Sequence, residues 1–245
     1  TLARIKSSFP KFLESMLVEI EPRAVERWRT KRFELGRKPS TVNRDLVCLK
    51  AALSKAVEWG VIDAHPLAKV KQTKVDDNPI PRFLSLEESR RLYTALGHRE
   101  ERIRTDRANA NGWRADRGVP LLPDLTKFQH ADHLKPMVLL SLNTGLRRGE
   151  LFNLHWADCN FHQKVLTVRG GGAKSGKTRH IPLNQTAMEV LTAWHDQSNK
   201  PDGLVFIGRT GGKFDNVNKS WREVLRGADI QEFRWHDLRH TFASW

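Results

Sequence analysis

Tyrosine is almost missing from this chain: one residue, Tyr93, among 245. Cysteine is nearly as scarce. Cys48 and Cys159 are too few and too far apart for a disulfide framework or a zinc site, and read as packed thiols of a reducing cytoplasm. No uninterrupted apolar run approaches the roughly 20 residues of a membrane-spanning helix, so no membrane partner is expected, and nothing resembles a signal peptide. The ten histidines and the carboxylates do not fall into metal-ligand spacings, so no metal or cofactor is expected. Internal repeats are absent. The chain opens on Thr1 and ends in mid-pattern on "RWHDLRHTFASW", which reads as a piece cut from a longer protein.

Positive charge is abundant. Lys and Arg number 42 against 28 Asp and Glu, a formal net charge of +14. A surplus of that size is the electrostatic footprint of a polyanion binder, with nucleic acid the first candidate and a merely solvated basic surface the alternative. The 39% apolar and 29% charged composition is ordinary for a globular protein, and the length accommodates two domains.

Residues 3 to 20 place Ile5, Phe9, Phe12, Leu13, Met16, Leu17 and Ile20 on one helical stripe, blemished by Pro10. A clearer helix runs from 40 to 59, capped by Ser40 or Thr41, with Val42, Leu46, Leu49, Leu53 and Val57 on its stripe and Gly60 at its end. Arg44, Lys50 and Lys55 fall off that stripe, within reach of a phosphate backbone. Between the two helices lie seven cations: Arg23, Arg27, Arg29, Lys31, Arg32, Arg37 and Lys38. The proline-rich run "HPLAKVKQTKVDDNPIPRFLS" reads as an extended linker.

A second unit starts at Ser85, where "SLEESRRL" offers a capping box to Glu88. Residues 97 to 133 are polar and fit either a long excursion or a polar helix. "KPMVLLSLNTGLRRGELFNLHW" reads as a buried helix, a Thr-Gly turn and another helix. Strands follow at Val165–Val168 and Thr178–Ile181, joined by a glycine-rich loop, then a helix at 185 to 195, a strand at Leu204–Ile207 and a helix at Val217–Leu225. The expected class is mainly α with a small antiparallel sheet (α+β).

Arg147 follows Thr144-Gly145 at the mouth of a helix, Lys174 sits in the loop "GGGAKSGK", and His236 and Arg239 share a face of the last helix. Two guanidiniums can hold the non-bridging oxygens of a phosphate and stabilise the charge that grows as a fifth oxygen approaches phosphorus. A lysine on a hairpin tip can protonate a departing sugar hydroxyl, and a histidine can take the proton of the incoming one. Singly, each residue has a plain alternative: a surface arginine, a solvated turn lysine, a capping histidine.

Their joint order resembles the tyrosine recombinase, or phage integrase, family. "TGLRRGEL" is similar to its first-arginine box at Arg147, "AKSGKTRHIPL" to its hairpin lysine at Lys174, and "HDLRHTFAS" to its His-x-x-Arg box at His236 and Arg239. The resemblance implies a helical core-binding domain at 1–75, a linker at 76–82 and a catalytic domain at 83–245, incomplete at its C-terminus. It implies a tyrosine that attacks DNA to form a 3′-phosphotyrosyl link without metal or ATP, with partner subunits in a tetramer on duplex DNA in the bacterial cytoplasm. It makes Glu150 the acidic partner of the site's cations, the alternative being a routine helix ion pair with Arg147. In the family the nucleophile lies downstream of the His-x-x-Arg box; Tyr93 lies ahead of every box and reads as a packing residue. Trp245 reads as part of an apolar face with Phe242, and the chain is expected to bind DNA without cleaving it. Arg37, Lys38, Arg44, Lys50 and Lys55 are the expected DNA contacts. A type IB topoisomerase, and a DNA-binding regulator or excision accessory on the same fold, stay open.

Overall fold

The computed structural model describes residues 2–75, 81–170, 176–198 and 202–245. Contacts divide the chain into two units, Thr1–Pro79 and Ile80–Trp245. The class is mainly helical with one small antiparallel sheet.

In the first unit, α1 (Leu2–Ser8), α2 (Pro22–Glu34) and α3 (Pro39–Glu58) surround Phe9, Val25, Leu46, Leu49 and Leu53. Full burial of each such side chain contributes about 1.5–3 kcal/mol. The single helix expected over 3 to 20 is broken. Pro10 has no N–H to donate and forces Phe9 out of helical geometry, and two short 3-10 turns, Pro10–Leu13 and Leu17–Glu19, replace it. Leu13 and Met16 are consequently exposed. The expected cap at Ser40 or Thr41 is also displaced: α3 starts two residues earlier, with Pro39 in its first turn and Lys38 at the cap. The stretch after His65 does not leave the unit at once. Leu67 and Val70 are buried in its core, and Asn43 pairs with both backbone groups of Thr73, at 2.8 and 2.9 Å.

The second unit is built around α5 (Leu134–Thr144), nine of whose eleven residues are buried. A helix apolar on all sides must sit at the centre of its domain. It packs against α7 (Gln185–Asp196) and α9 (Asp237–Ser244), while α4 (Leu86–Ala115) packs on α8 (Asn218–Gly227). The capping box forms as read, Ser85 Oγ accepting from Glu88 N at 3.1 Å and Glu88 Oε2 accepting from Ser85 N at 2.9 Å.

The polar stretch 97 to 133 that the sequence left open divides: up to Ala115 it is the far end of the 30-residue α4, and from there to 133 it is largely irregular chain. Beyond Glu100 no residue is buried until His130. Side chains bonded to carbonyls replace a core there: Arg107 to Pro123 O at 2.8 Å, Asn111 to Leu122 O at 3.0 Å, Arg114 to Pro120 O at 2.6 Å.

The sheet has the order β1 (Cys159–Asn160), β2 (Val165–Val168), β3 (Arg179–Pro182), with Leu166 opposite Ile181 and Val168 opposite Arg179. The strand expected at Leu204–Ile207 shrinks to one bridge, His155 to Leu204. Trp194 Nε1 takes Val205 O at 2.7 Å, so a side chain satisfies a carbonyl that a ladder would otherwise use. Among the described residues no helix is long and apolar enough to cross a membrane.

Candidate active site

The site begins where α5 ends. Gly145 adopts the left-handed conformation, φ 62°, that stops the helix, and a Cβ there would run into the Phe242 ring. Two residues on, Arg147 precedes the short helix α6 (Arg148–Phe152). Its backbone N–H donates to Glu150 Oε2 at 2.8 Å and its guanidinium to Oε1 at 2.9 Å.

Glu150 is the electrostatic hub. Its side chain is 3% exposed, and it also accepts a two-pronged pair from Arg179, Nη1 to Oε1 at 3.0 Å and Nη2 to Oε2 at 2.6 Å. Burial alone would push this carboxyl up, but the bonds from Arg179 and Arg147 outweigh burial and hold its pKa at about 2. Arg239, on α9, donates to the carbonyl of Gly145. Its pKa is lowered by burial and then by the nearness of Arg147 and Arg179. Three guanidiniums therefore crowd around one carboxylate, leaving uncompensated positive charge.

His236 stands at the start of α9, its ring edge-on to His240 at 5.0 Å. Burial, then His240, lower its pKa below 6.5, with Arg239 and Arg234 adding to the effect and Asp237 opposing it. The shift favours the neutral imidazole, the form able to accept a proton. Asp237, fully buried, fixes this helix start: it accepts from Arg234 N at 2.7 Å and Arg234 Nη2 at 2.8 Å. Thr241 Oγ1, which donates to Asp237 O, accepts from Leu84 N at 3.1 Å.

The structure thus brings Arg147, Glu150 and Arg239 together, with His236 one helical turn before Arg239. Lys174 lies outside the described residues. Arg179 was missed by the sequence reading, although it sits in the segment "AKSGKTRHIPL". The available signal was strand alternation: Arg179 shares a sheet face with buried Ile181, and an inward-facing arginine needs a partner.

Tyr93 is 41% exposed on α4, and burial of part of its ring pushes its phenol pKa up, the opposite of what a nucleophile needs. Trp245 does not pack with an apolar face: it is 58% exposed and Phe242 41%, the Phe242 ring instead lying over Gly145. In the first unit Arg37, Lys38 and Arg44 are exposed. Lys50 is occupied within the chain, its ammonium on Val70 O at 2.9 Å and Ala68 O at 3.3 Å, and Lys55 is paired with Glu58 at 2.7 Å.

The sequence profile described as the phage integrase family matches residues 120–245. The chain belongs to this family. The integrase of Salmonella phage P22 is 30% identical over 209 residues, a match covering 80% of this chain and 44% of the relative. Tyrosine recombinase XerC of Pseudomonas aeruginosa is 31% identical over 228 residues, covering 82% and 72%. The chain therefore spans less than half the length of the phage relative. Among solved structures, the Tn1549 transposon integrase in complex with a circular intermediate DNA matches with a TM-score of 0.63 at 18% identity, covering 93% of this chain and 73% of that one. A lambda integrase dimer bound to a COC' core site matches with a TM-score of 0.61 at 16% identity, covering 99% and 81%. At these identities the likeness is one of fold.

Proposed function

We propose that the protein containing this chain is a site-specific recombinase that cuts and rejoins duplex DNA through a 3′-phosphotyrosyl intermediate, without metal or ATP. The observation that carries the reading is the convergence of Arg147, Arg179 and Arg239 around the single carboxylate of Glu150. Such an excess of fixed cations is preorganised for an anion whose charge grows during reaction.

Arg147 and Arg239 hold the non-bridging oxygens of the scissile phosphate. Glu150 and Arg179 position Arg147. A tyrosine oxygen attacks phosphorus, the 5′ oxygen leaves with a proton from Lys174, and His236 takes the tyrosine's proton. The ester energy stays in the phosphotyrosyl bond, so a DNA hydroxyl reverses the step. The lone tyrosine here, Tyr93, is unsuited to that attack, so these 245 residues bind DNA without cleaving it. Duplex DNA and further recombinase subunits, in a tetramer, are the partners. Solved relatives include a lambda integrase tetramer bound to a Holliday junction. The first unit contributes phosphate contacts from Arg37, Lys38 and Arg44.

The test uses a suicide DNA substrate. In the full-length protein, Arg147→Ala or Arg239→Ala should abolish the covalent adduct while DNA binding persists. Adduct formation by this chain alone would refute its inactivity, and adduct formation by the arginine variants would refute the site.

A further inference from the structure

The connector from α8 to α9, residues 228–236, is bent in an unfavourable way. Asp229 and Glu232 hold φ of 49° and 50°, a left-handed backbone that residues with a Cβ keep only where the surroundings enforce it. Two arginines from the entry to the second unit supply that enforcement. Arg91, on α4, donates to Ala228 O at 2.9 Å and to Asp229 O at 3.2 Å. Arg82, the last residue of the expected linker, holds its guanidinium 5.4 Å from the centre of the Phe233 ring, within the range of a cation–π contact. Both oxygens of Glu88 grip the same guanidinium, and Glu88 Oε2 also accepts from Ser85 N. One carboxylate therefore fixes the arginine and the turn into α4 together. Two residues past Arg82, Leu84 N donates to Thr241 Oγ1 at 3.1 Å, and both residues are fully buried. The hydroxyl in turn donates to Asp237 O at 2.9 Å. The segment 82–84 thus grips the chain at Phe233, just ahead of His236, and at Thr241, just past Arg239. Its two contacts bracket the His-x-x-Arg pair.

We propose that Arg82 and Thr241 are positioning residues for the recombination chemistry, holding α9 so that His236 and Arg239 face the scissile phosphate together. The proposal rests on the reading of the site as a scissile-phosphate site. In this role Arg82 and Thr241 act through α9 and touch no reacting atom, as supporting groups do when they lock the residues that react. Glu88 keeps Arg82 in place, and Arg91 holds the far end of the connector. Because Arg82 ends the expected linker, the approach of the chain into the second unit is tied to the orientation of α9.

The test combines single-turnover cleavage of a suicide duplex by the full-length protein with NMR titration of the His236 ring in this chain. Arg82→Gln and Thr241→Val should each slow cleavage about tenfold or more, the order expected from small misplacements of reacting groups, while the Kd for the duplex stays within about twofold. Thr241→Ser keeps the hydroxyl and should cleave as the parent does. So should Arg90→Gln, which alters an exposed arginine on the same α4. In this chain Arg82→Gln and Thr241→Val should move the His236 ring resonances and their titration midpoint, and Thr241→Ser should not. Parental cleavage by both Arg82→Gln and Thr241→Val would overturn the proposal, as would a Thr241→Ser as slow as Thr241→Val. A loss of cleavage matched by an equal loss of binding, with the His236 ring unmoved, would overturn it too. An Arg147→Ala protein that cleaves like the parent would sink the scissile-phosphate reading instead, and the His236 resonances would then decide alone whether residues 82 and 241 hold α9.

Discussion

Replacing Glu150 with Gln removes the one negative charge among three guanidiniums while keeping the side chain's size. The carboxyl is held at about 2 against an ordinary 4.5, and one unit corresponds to about 1.4 kcal/mol, which gives roughly 3 kcal/mol at neutral pH. Loss of one partner from a buried ion pair costs about 3–5 kcal/mol by a separate route, so the two agree in size. At about 2–4 °C per kcal/mol for a chain of this length, Glu150→Gln should melt roughly 6–12 °C below the parent at pH 7. The pH dependence has a definite sign. A carboxyl with a depressed folded pKa contributes its full stability above 4.5 and loses it as the pH falls toward 2. The difference between parent and variant should therefore be complete at pH 7 and shrink across that acid window. Sulfate should stabilise the variant more than the parent, since it supplies the missing anion. Thermal unfolding followed by circular dichroism at several pH values decides this. A melting temperature within a degree of the parent at pH 7, or a gap that persists unchanged at pH 2, would refute the electrostatic account of the hub.

Three other outcomes are expected. Arg179→Lys keeps the charge but cannot make the two-pronged bond to Glu150, so it should lower stability by about 1 kcal/mol in urea titration; parity with the parent contradicts the positioning role. Gly145→Ala places a side chain at φ 62° against Phe242 and should cost more than about 1 kcal/mol. It should also weaken DNA cleavage by the full-length protein, because Gly145 O holds Arg239. His240 helps to lower the His236 pKa, so His240→Ala should move the acid limb of the cleavage rate toward higher pH; a limb that stays put or moves the other way counts against His236 as the proton acceptor.

What the sequence revealed and what it hid follow from the range of the interactions. The stripe of α3, the Gly145 stop, the Ser85 capping box and the β2–β3 hairpin are set by residues a turn or a loop apart, and were legible. The break at Pro10 was visible as a blemish, but only Phe9's lost helical geometry shows that the helix ends there. The length of α4 was hidden because its far half buries nothing and is held by arginine and asparagine bonds to carbonyls. The two boxes that carry Arg147 and the His236–Arg239 pair were legible as words. The role of Arg179 was only half legible: strand alternation turns it to the buried face of β3, but its partner depends on β3 bringing residue 179 to residue 150, which no local pattern announces.

The central claim is that Arg147 and Arg239 serve one phosphate. A crystal structure of the full-length protein on its recombination-site duplex tests it most directly. The account predicts both guanidiniums within hydrogen-bond distance of the same scissile phosphate, with Glu150 still bridging Arg147 and Arg179. Guanidiniums engaged with separate phosphates, or Arg239 bound only to the carbonyl of Gly145 while DNA fills the site, would contradict it.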